Sequence, residues 1–180
     1  MEQLPDVDIF VACVGSGGTF SGVSKRLKEY NSSIRCVAGE PRTSAVLSGQ
    51  KAGPHKIQGI GANFIPANFD NTYCDDIMLV DEEEAITETK RFAKETGILV
   101  GISSGANIAL ARRLARYYPN SKIVTNCPDG GEKYLLLYKI QVGIHDFRRS
   151  MTLNTTYQKG YNAFTMSASL SAVKTSLPSL

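Results

Sequence analysis

Tryptophan is absent from this chain of 180 residues, histidine occurs twice and cysteine four times. His55 and His145 are too few for a zinc site, and Cys13, Cys36, Cys74 and Cys127 form no CxxC pair. No metal site is expected. Cys13 and Cys36 sit in apolar runs and read as small buried hydrophobes of a reducing compartment. No Lys/Arg block with interleaved aromatics occurs, which excludes nucleic acid as an expected partner. No apolar run approaches membrane-spanning length. The opening "MEQLPDVDIF" carries acids and a proline where a signal or transit peptide would be basic and apolar. A soluble, cytoplasmic protein with no membrane partner is the expectation. The net charge is mild, +3. Its excess lies in 138–180, because 1–137 hold 15 Lys/Arg against 16 Asp/Glu.

What is present is 42% hydrophobic residues, enough for the core of one ordinary domain. Four apolar, β-branched runs read as strands: Val7–Val14, Ile34–Ala38, Ile77–Val80 and Lys122–Asn126. Such continuous runs suit parallel strands buried on both faces. Helices are expected over Thr19–Tyr30, Ser44–Lys51, Glu82–Thr96 and Ala106–Tyr118. In the third, Asp81 is placed as N-cap with Glu84 at N3, and Gly97 as the stop. In the fourth, Leu110, Ala111 and Leu114 form the apolar stripe, with Arg112, Arg113 and Arg116 facing outward. Alternation of strand and helix predicts an α/β fold with an open, mostly parallel sheet flanked by helices. Residues 1–137 form the predicted domain. The segment 138–180 loses helical period and ends rich in Ser and Thr, so it reads as an unrelated, poorly ordered tail with a short strand at Lys139–Ile144.

Between the first strand and the first helix lies "VACVGSGGTFSGVSKRL", residues 11 to 27. Gly15, Gly17 and Gly18 allow a tight turn whose amides, with the helix N-terminus, favour an anion and above all a phosphate. A GxGxxG reading from Gly15 fails at Phe20, and a P-loop reading from Gly17 fails at Val23. What remains is a short neutral cradle with hydroxyls from Ser16, Thr19 and Ser21, suited to one compact phosphate. A glycine-rich turn that merely packs the helix on its strand stays open as the other reading.

Further glycine-rich stretches recur at element ends: "GPHKIQGIGANFIP" (53–66), "GILVGISSGAN" (97–107) and "CPDGGEKYL" (127–135). With "GSGGTFSG" and "AGEPRTSAVLSG", and in this order, they resemble the later half of a cysteine synthase (O-acetylserine sulfhydrylase). That family belongs to the fold type II pyridoxal-phosphate enzymes, related to cystathionine β-synthase. The resemblance covers about residues 3–135 and implies the large domain of such an enzyme, incomplete, with pyridoxal phosphate as cofactor. It implies that Gly15, Ser16, Gly17, Gly18 and Thr19 cradle the cofactor phosphate. Gln58, Gly59, Ile60 and Gly61 would form the loop at the substrate entrance, and Ser103 and Ser104 a loop near the cofactor's base. The family reaction is β-replacement, making L-cysteine from O-acetylserine and sulfide.

Two departures qualify that likeness. The family's Schiff-base lysine lies in a part of the chain that precedes the phosphate loop, and no residue here matches it. Catalytic residues are accordingly expected to be none, with Lys56 the least unsuitable substitute, and the chain alone is expected to be a truncated, inactive form. The family also places a serine hydroxyl against the ring nitrogen, where this chain has Asp129. Asp129 reads first as a helix N-cap ahead of Glu132, and second as a cofactor-binding group beside that nitrogen. Expected partners are a second copy or a full-length paralogue, and serine acetyltransferase, whose C-terminus docks near His55–Gly61 in the family. The alternatives are a non-enzymatic regulator of a complete enzyme, and an incomplete reading frame.

Overall fold

The computed structural model describes residues 4–134 and 163–167. The expectations for Lys139–Ile144 and for most of the tail lie outside these residues. Among the described residues five strands form one sheet: β1 (Ile9–Cys13), β2 (Arg35–Pro41), β3 (Asp76–Val80), β4 (Lys122–Asn126) and β5 (Ala163–Ser167). Their order is β3-β2-β1-β4-β5, with the first four parallel and β5 antiparallel to β4. The expected parallel α/β sheet is what forms. The strand β5 lies in the segment expected to be poorly ordered and pairs with the outer side of β4.

The apolar runs form strands because each side of the sheet is covered. Alternate residues of β1 point to opposite faces. Ile9 and Val11 join a cluster with Val37, Ile123, Ala106 and Leu110. Phe10 and Ala12 join the other, with Cys36, Ala38, Phe20 and Leu27. The second face is covered by α1 (Gly18–Tyr30), which buries Phe20, Ser24 and Leu27 at helical spacing. The first is covered by α3 (Ile102–Tyr117). Each fully buried Val, Leu or Phe contributes about 1.5–3 kcal/mol.

Outside α3 packs α2 (Glu82–Thr96), with Ala85, Thr89 and Phe92 inward. The contact is close because position 105 carries no side chain: a Cβ there would lie 2.0 Å from Thr89 Oγ1. Arg112 does not face outward as expected. It bridges Glu88 (2.8 Å) and Glu95 (2.7 Å) across the two helices. Arg113 likewise turns inward and donates to the Leu79 carbonyl.

Three local expectations are corrected. Residues 44–51 are turns rather than a helix, after a 3-10 turn at Arg42–Ser44. The buried Glu40 carboxylate takes the Leu47 amide (2.8 Å), the Ser48 amide (2.9 Å) and the Ser48 hydroxyl (2.5 Å), competing with helical bonding. Asp81 stands at the N-cap of α2, but its side chain makes no capping bond. It pairs instead with Arg42 at 2.8 Å, and Glu84 lies 3.5 Å from Arg113. Finally α3 begins four residues earlier than expected, at Ile102, so Ser103 and Ser104 belong to its first turn.

Candidate functional site

The neighbours β1 and β4 flank the point where strand order reverses, and a crevice opens there at the carboxyl ends of the strands. It is a cleft of about 280 Å³. One wall is Cys13 to Gly17 with Thr19 and Phe20, and Gln58, Gly59 and Ile60 form a second. Ser103 and Asn107 come from α3, and Asn126, Pro128, Asp129 and Tyr134 from the end of β4 and beyond.

The first wall is shaped by two close approaches. Gly17 is the N-cap of α1 with φ 86°, a left-handed conformation that disfavours a side chain. Gly15 faces the second wall so closely that a Cβ would lie 2.2 Å from the Gly59 carbonyl oxygen. The Gly61 amide donates to the Val14 carbonyl (2.9 Å), which ties the two loops together. No side chain caps α1, and its first turn holds no acid, so its amides remain available to water or an anion. Ser16 and Thr19 line the cleft. Ser21 does not serve there as expected, because its hydroxyl accepts the Asp70 amide at 2.9 Å.

Asn107 joins the two strand ends. Its Oδ1 accepts the Cys13 amide (2.7 Å), and its Nδ2 donates to the Asn126 carbonyl (2.8 Å) and Oδ1 (3.2 Å). The residue is 2% exposed, so these bonds exchange little with water. Sequence reasoning missed Asn107, Asn126 and Tyr134. A signal existed for the first: an amide on the apolar face of a helix, beside Ala106 and Leu110.

Of the expected site residues, Gly15, Ser16, Gly17, Thr19, Gln58, Gly59, Ile60, Ser103 and Asp129 converge on the cleft. Gly18 begins α1 and Gly61 lies behind the second wall, neither lining the cleft itself. Ser104 is fully buried against Cys127. Asp129 is not a helix N-cap: its carboxylate accepts the Tyr134 hydroxyl (2.9 Å) and the Ser103 hydroxyl (3.4 Å). Lys56 is turned to solvent, 84% exposed and 3.6 Å from Glu82. No lysine is among the described residues lining the cleft.

Neither nearby thiol offers a nucleophile. Burial pushes the Cys127 thiol up to about 12, against the opposing Ser104 hydroxyl. Burial also raises Cys13, with Arg113 opposing it, so both are protonated at neutral pH. Among the described residues no cluster of His, Cys, Asp and Glu could hold a metal ion, and no helix is long and apolar enough to cross a membrane.

An uncapped helix N-terminus, a glycine loop pressed against a second loop, and a cleft at the strand-order reversal define an open α/β protein with a ligand-type crevice at the carboxyl ends of its strands. The chain belongs to the pyridoxal-phosphate dependent enzyme family, which it matches over residues 1–129. Within that family it is cysteine synthase-like. It is 48% identical over 130 residues to cysteine synthase B of Campylobacter jejuni, covering 72% of this chain and 43% of that protein. It is also 48% identical over 130 residues to a Staphylococcus aureus cysteine synthase, covering 72% of this chain and 42% of that protein. The crystal structure of a cysteine synthase from Entamoeba histolytica superposes with a TM-score of 0.73 at 40% identity, over 79% of this chain and 43% of that one. The chain thus spans less than half the length of these relatives.

Proposed function

We propose that this chain contributes the phosphate-anchoring and ring-holding part of a cysteine synthase-type site, for β-replacement on an O-acetylserine-like substrate. The observation that carries the reading is the uncapped start of α1 behind Gly15–Gly17, in a cleft whose described walls hold a single charged side chain. The residues fit the cofactor. The amides of the first turn of α1, with the Ser16 and Thr19 hydroxyls, would take its phosphate. Bound pyridoxal phosphate supplies an electron sink for carbon chemistry at the substrate. The protein's own part is positional: Asn107 fixes the spacing of the two strand ends, and Gln58–Ile60 bound the cleft beside the glycine loop.

The lysine that would attach the cofactor covalently is not among the described cleft residues, so β-replacement by this chain alone is not part of the reading. Two measurements test it together. Fluorescence titration should show pyridoxal phosphate binding that weakens at least about tenfold, about 1.4 kcal/mol, in Gly15→Ala. The added Cβ would collide with the Gly59 carbonyl. Borohydride reduction and peptide mapping should show no stoichiometric adduct at Lys25, Lys28, Lys51 or Lys56. Unchanged affinity in Gly15→Ala overturns the anchoring role. A single stoichiometric adduct overturns the division of labour.

A further inference from the structure

The cleft opens in a fork between two neighbouring strands. β1 and β4 pair over Ile9↔Ile123, Phe10↔Val124 and Val11↔Thr125, and their ladder stops there. Beyond it the strands part. The Cys13 amide donates to Asn107 Oδ1 at 2.7 Å, and the Asn126 carbonyl accepts from Asn107 Nδ2 at 2.8 Å. One side chain thus spans the gap where the ladder would have run on. The outer flank of β4 is held by β5, which pairs with all of it, from Lys122↔Ser167 to Asn126↔Ala163. The strand β5 therefore continues past the point where β1 lets go.

The direction of each backbone group follows from alternation along β4. The Lys122 amide donates to Asp8 Oδ2 at 2.7 Å, and the Lys122 carbonyl accepts the Asp8 amide at 2.9 Å, both on the β1 side. Successive residues of a strand turn their backbone groups to opposite edges, so Lys122, Val124 and Asn126 face β1. The bond from Asn107 to the Asn126 carbonyl agrees with that. Ile123 and Thr125 then face β5, and with Met166 and Phe164 opposite them they are the hydrogen-bonding pairs of that ladder. The Thr125 hydroxyl also donates to the Val11 carbonyl at 2.7 Å. Thr125 is gripped from both sides just before the residue that Asn107 must reach.

We infer that β5 is a strap on the outer flank of the cleft, which holds the end of β4 where Asn107 can bridge it to β1. Without β5, β4 is an edge strand whose last residue lies outside the β1 ladder. Backbone bonds open to solvent on one side break at lower cost than bonds covered on both. With β5 unseated, the glycine loop keeps its tie from Val14 to Gly61, while the Asn126 side of the cleft moves away. Seating of β5 and closure of the Asn107 bridge rise and fall together. The coupling rests on the sheet alone, whatever the cleft holds.

Amide hydrogen exchange followed by nuclear magnetic resonance on the full chain tests this. In wild type the Phe164 amide should be protected, and the Thr165 amide, which faces away from β4, should exchange freely. Proline at 164 removes a ladder donor, whereas proline at 165 removes none. In Phe164→Pro the Cys13 amide should exchange at least about tenfold faster than in wild type, the weight of about one lost hydrogen bond. In Thr165→Pro its rate should stay within about twofold. The Val14 amide, bonded to the Gly39 carbonyl at 2.8 Å on the β2 side, should keep its rate in both variants. A wild-type Phe164 amide that exchanges as fast as that of Thr165 overturns the inference, and that measurement needs no variant. An unchanged Cys13 rate in Phe164→Pro overturns it too. So do Cys13 and Val14 amides that quicken together, because they report a general loosening of the sheet.

Discussion

The two ends of the sheet are finished in opposite ways. At the amino ends the strands are stitched by charge. Lys28 pairs with Asp75 at 2.6 Å, Arg35 with Asp76 at 3.2 Å, and Lys122 with Asp6. The Lys122 amide donates to Asp8 at 2.7 Å, and the Arg35 guanidinium lies 5.6 Å from the Tyr118 ring centre. At the carboxyl ends β2 and β3 still run into the Arg42–Asp81 pair, whereas β1 and β4 run into glycines, hydroxyls and amides, with Asp129 the single charged side chain among the described residues lining the cleft. Charges at the water-exposed end interact through solvent and are screened, so each adds little. Neutral groups at the other end satisfy one another in buried bonds, and leave an electrostatic opening for an anion at α1.

This contrast predicts a ranking of effects. The largest belongs to the carboxyl end: Asn107→Ala should lose about 3 kcal/mol in urea unfolding, because the Cys13 amide and Asn126 carbonyl lose buried partners. Next comes Asp75→Asn, with a loss of about 1 kcal/mol at pH 7, given a partly exposed pair. Burial pushes the Asp75 carboxyl up, but the Cys36 amide and Lys28 outweigh it and hold it below its ordinary value. A depressed folded pKa gives stability that is present above the unfolded value near ~3.9 and lost as pH falls through the folded one. The gap between Asp75→Asn and wild type should therefore close below about pH 4 in unfolding series. The smallest effect is that of Asp76→Asn, within about 0.5 kcal/mol, since both partners are exposed. A loss at Asp75 or Asp76 greater than that at Asn107 would break the contrast.

The sheet was legible because its signal is local composition. The run at Lys122–Asn126 forms β4 with the same limits, and Gly97 ends α2 with φ 73°. The glycine turn at the cleft was legible for a similar reason, since a strand, three glycines and a helix follow one another directly. What escaped the sequence depends on partners far away in the chain. The Ser44–Lys51 stretch carries a helical pattern, yet the buried carboxylate of Glu40 claims two of its amides. Asp129 has the spacing of a cap, but Tyr134 and Ser103 take its carboxylate, the latter from 26 residues earlier. Asn107 reads as one polar interruption of an apolar helix until β1 and β4 are set side by side.

That adjacency of β1 and β4 has a consequence for how the chain reaches its working form. The Thr125 hydroxyl donates to the Val11 carbonyl across 114 residues, and the Cys13 amide finds Asn107 across 94. The glycine loop precedes β4 in the chain, and the part of the cleft that β4 carries is in place only once that strand has docked. Pairings of such long range are slow to form, since a long stretch of chain must be closed before any contact stabilises it. A complete cleft is therefore an expected late product of folding. A bound phosphate compound would lock in the strand that closes the sheet, favouring the finished fold over its precursors in proportion to its concentration.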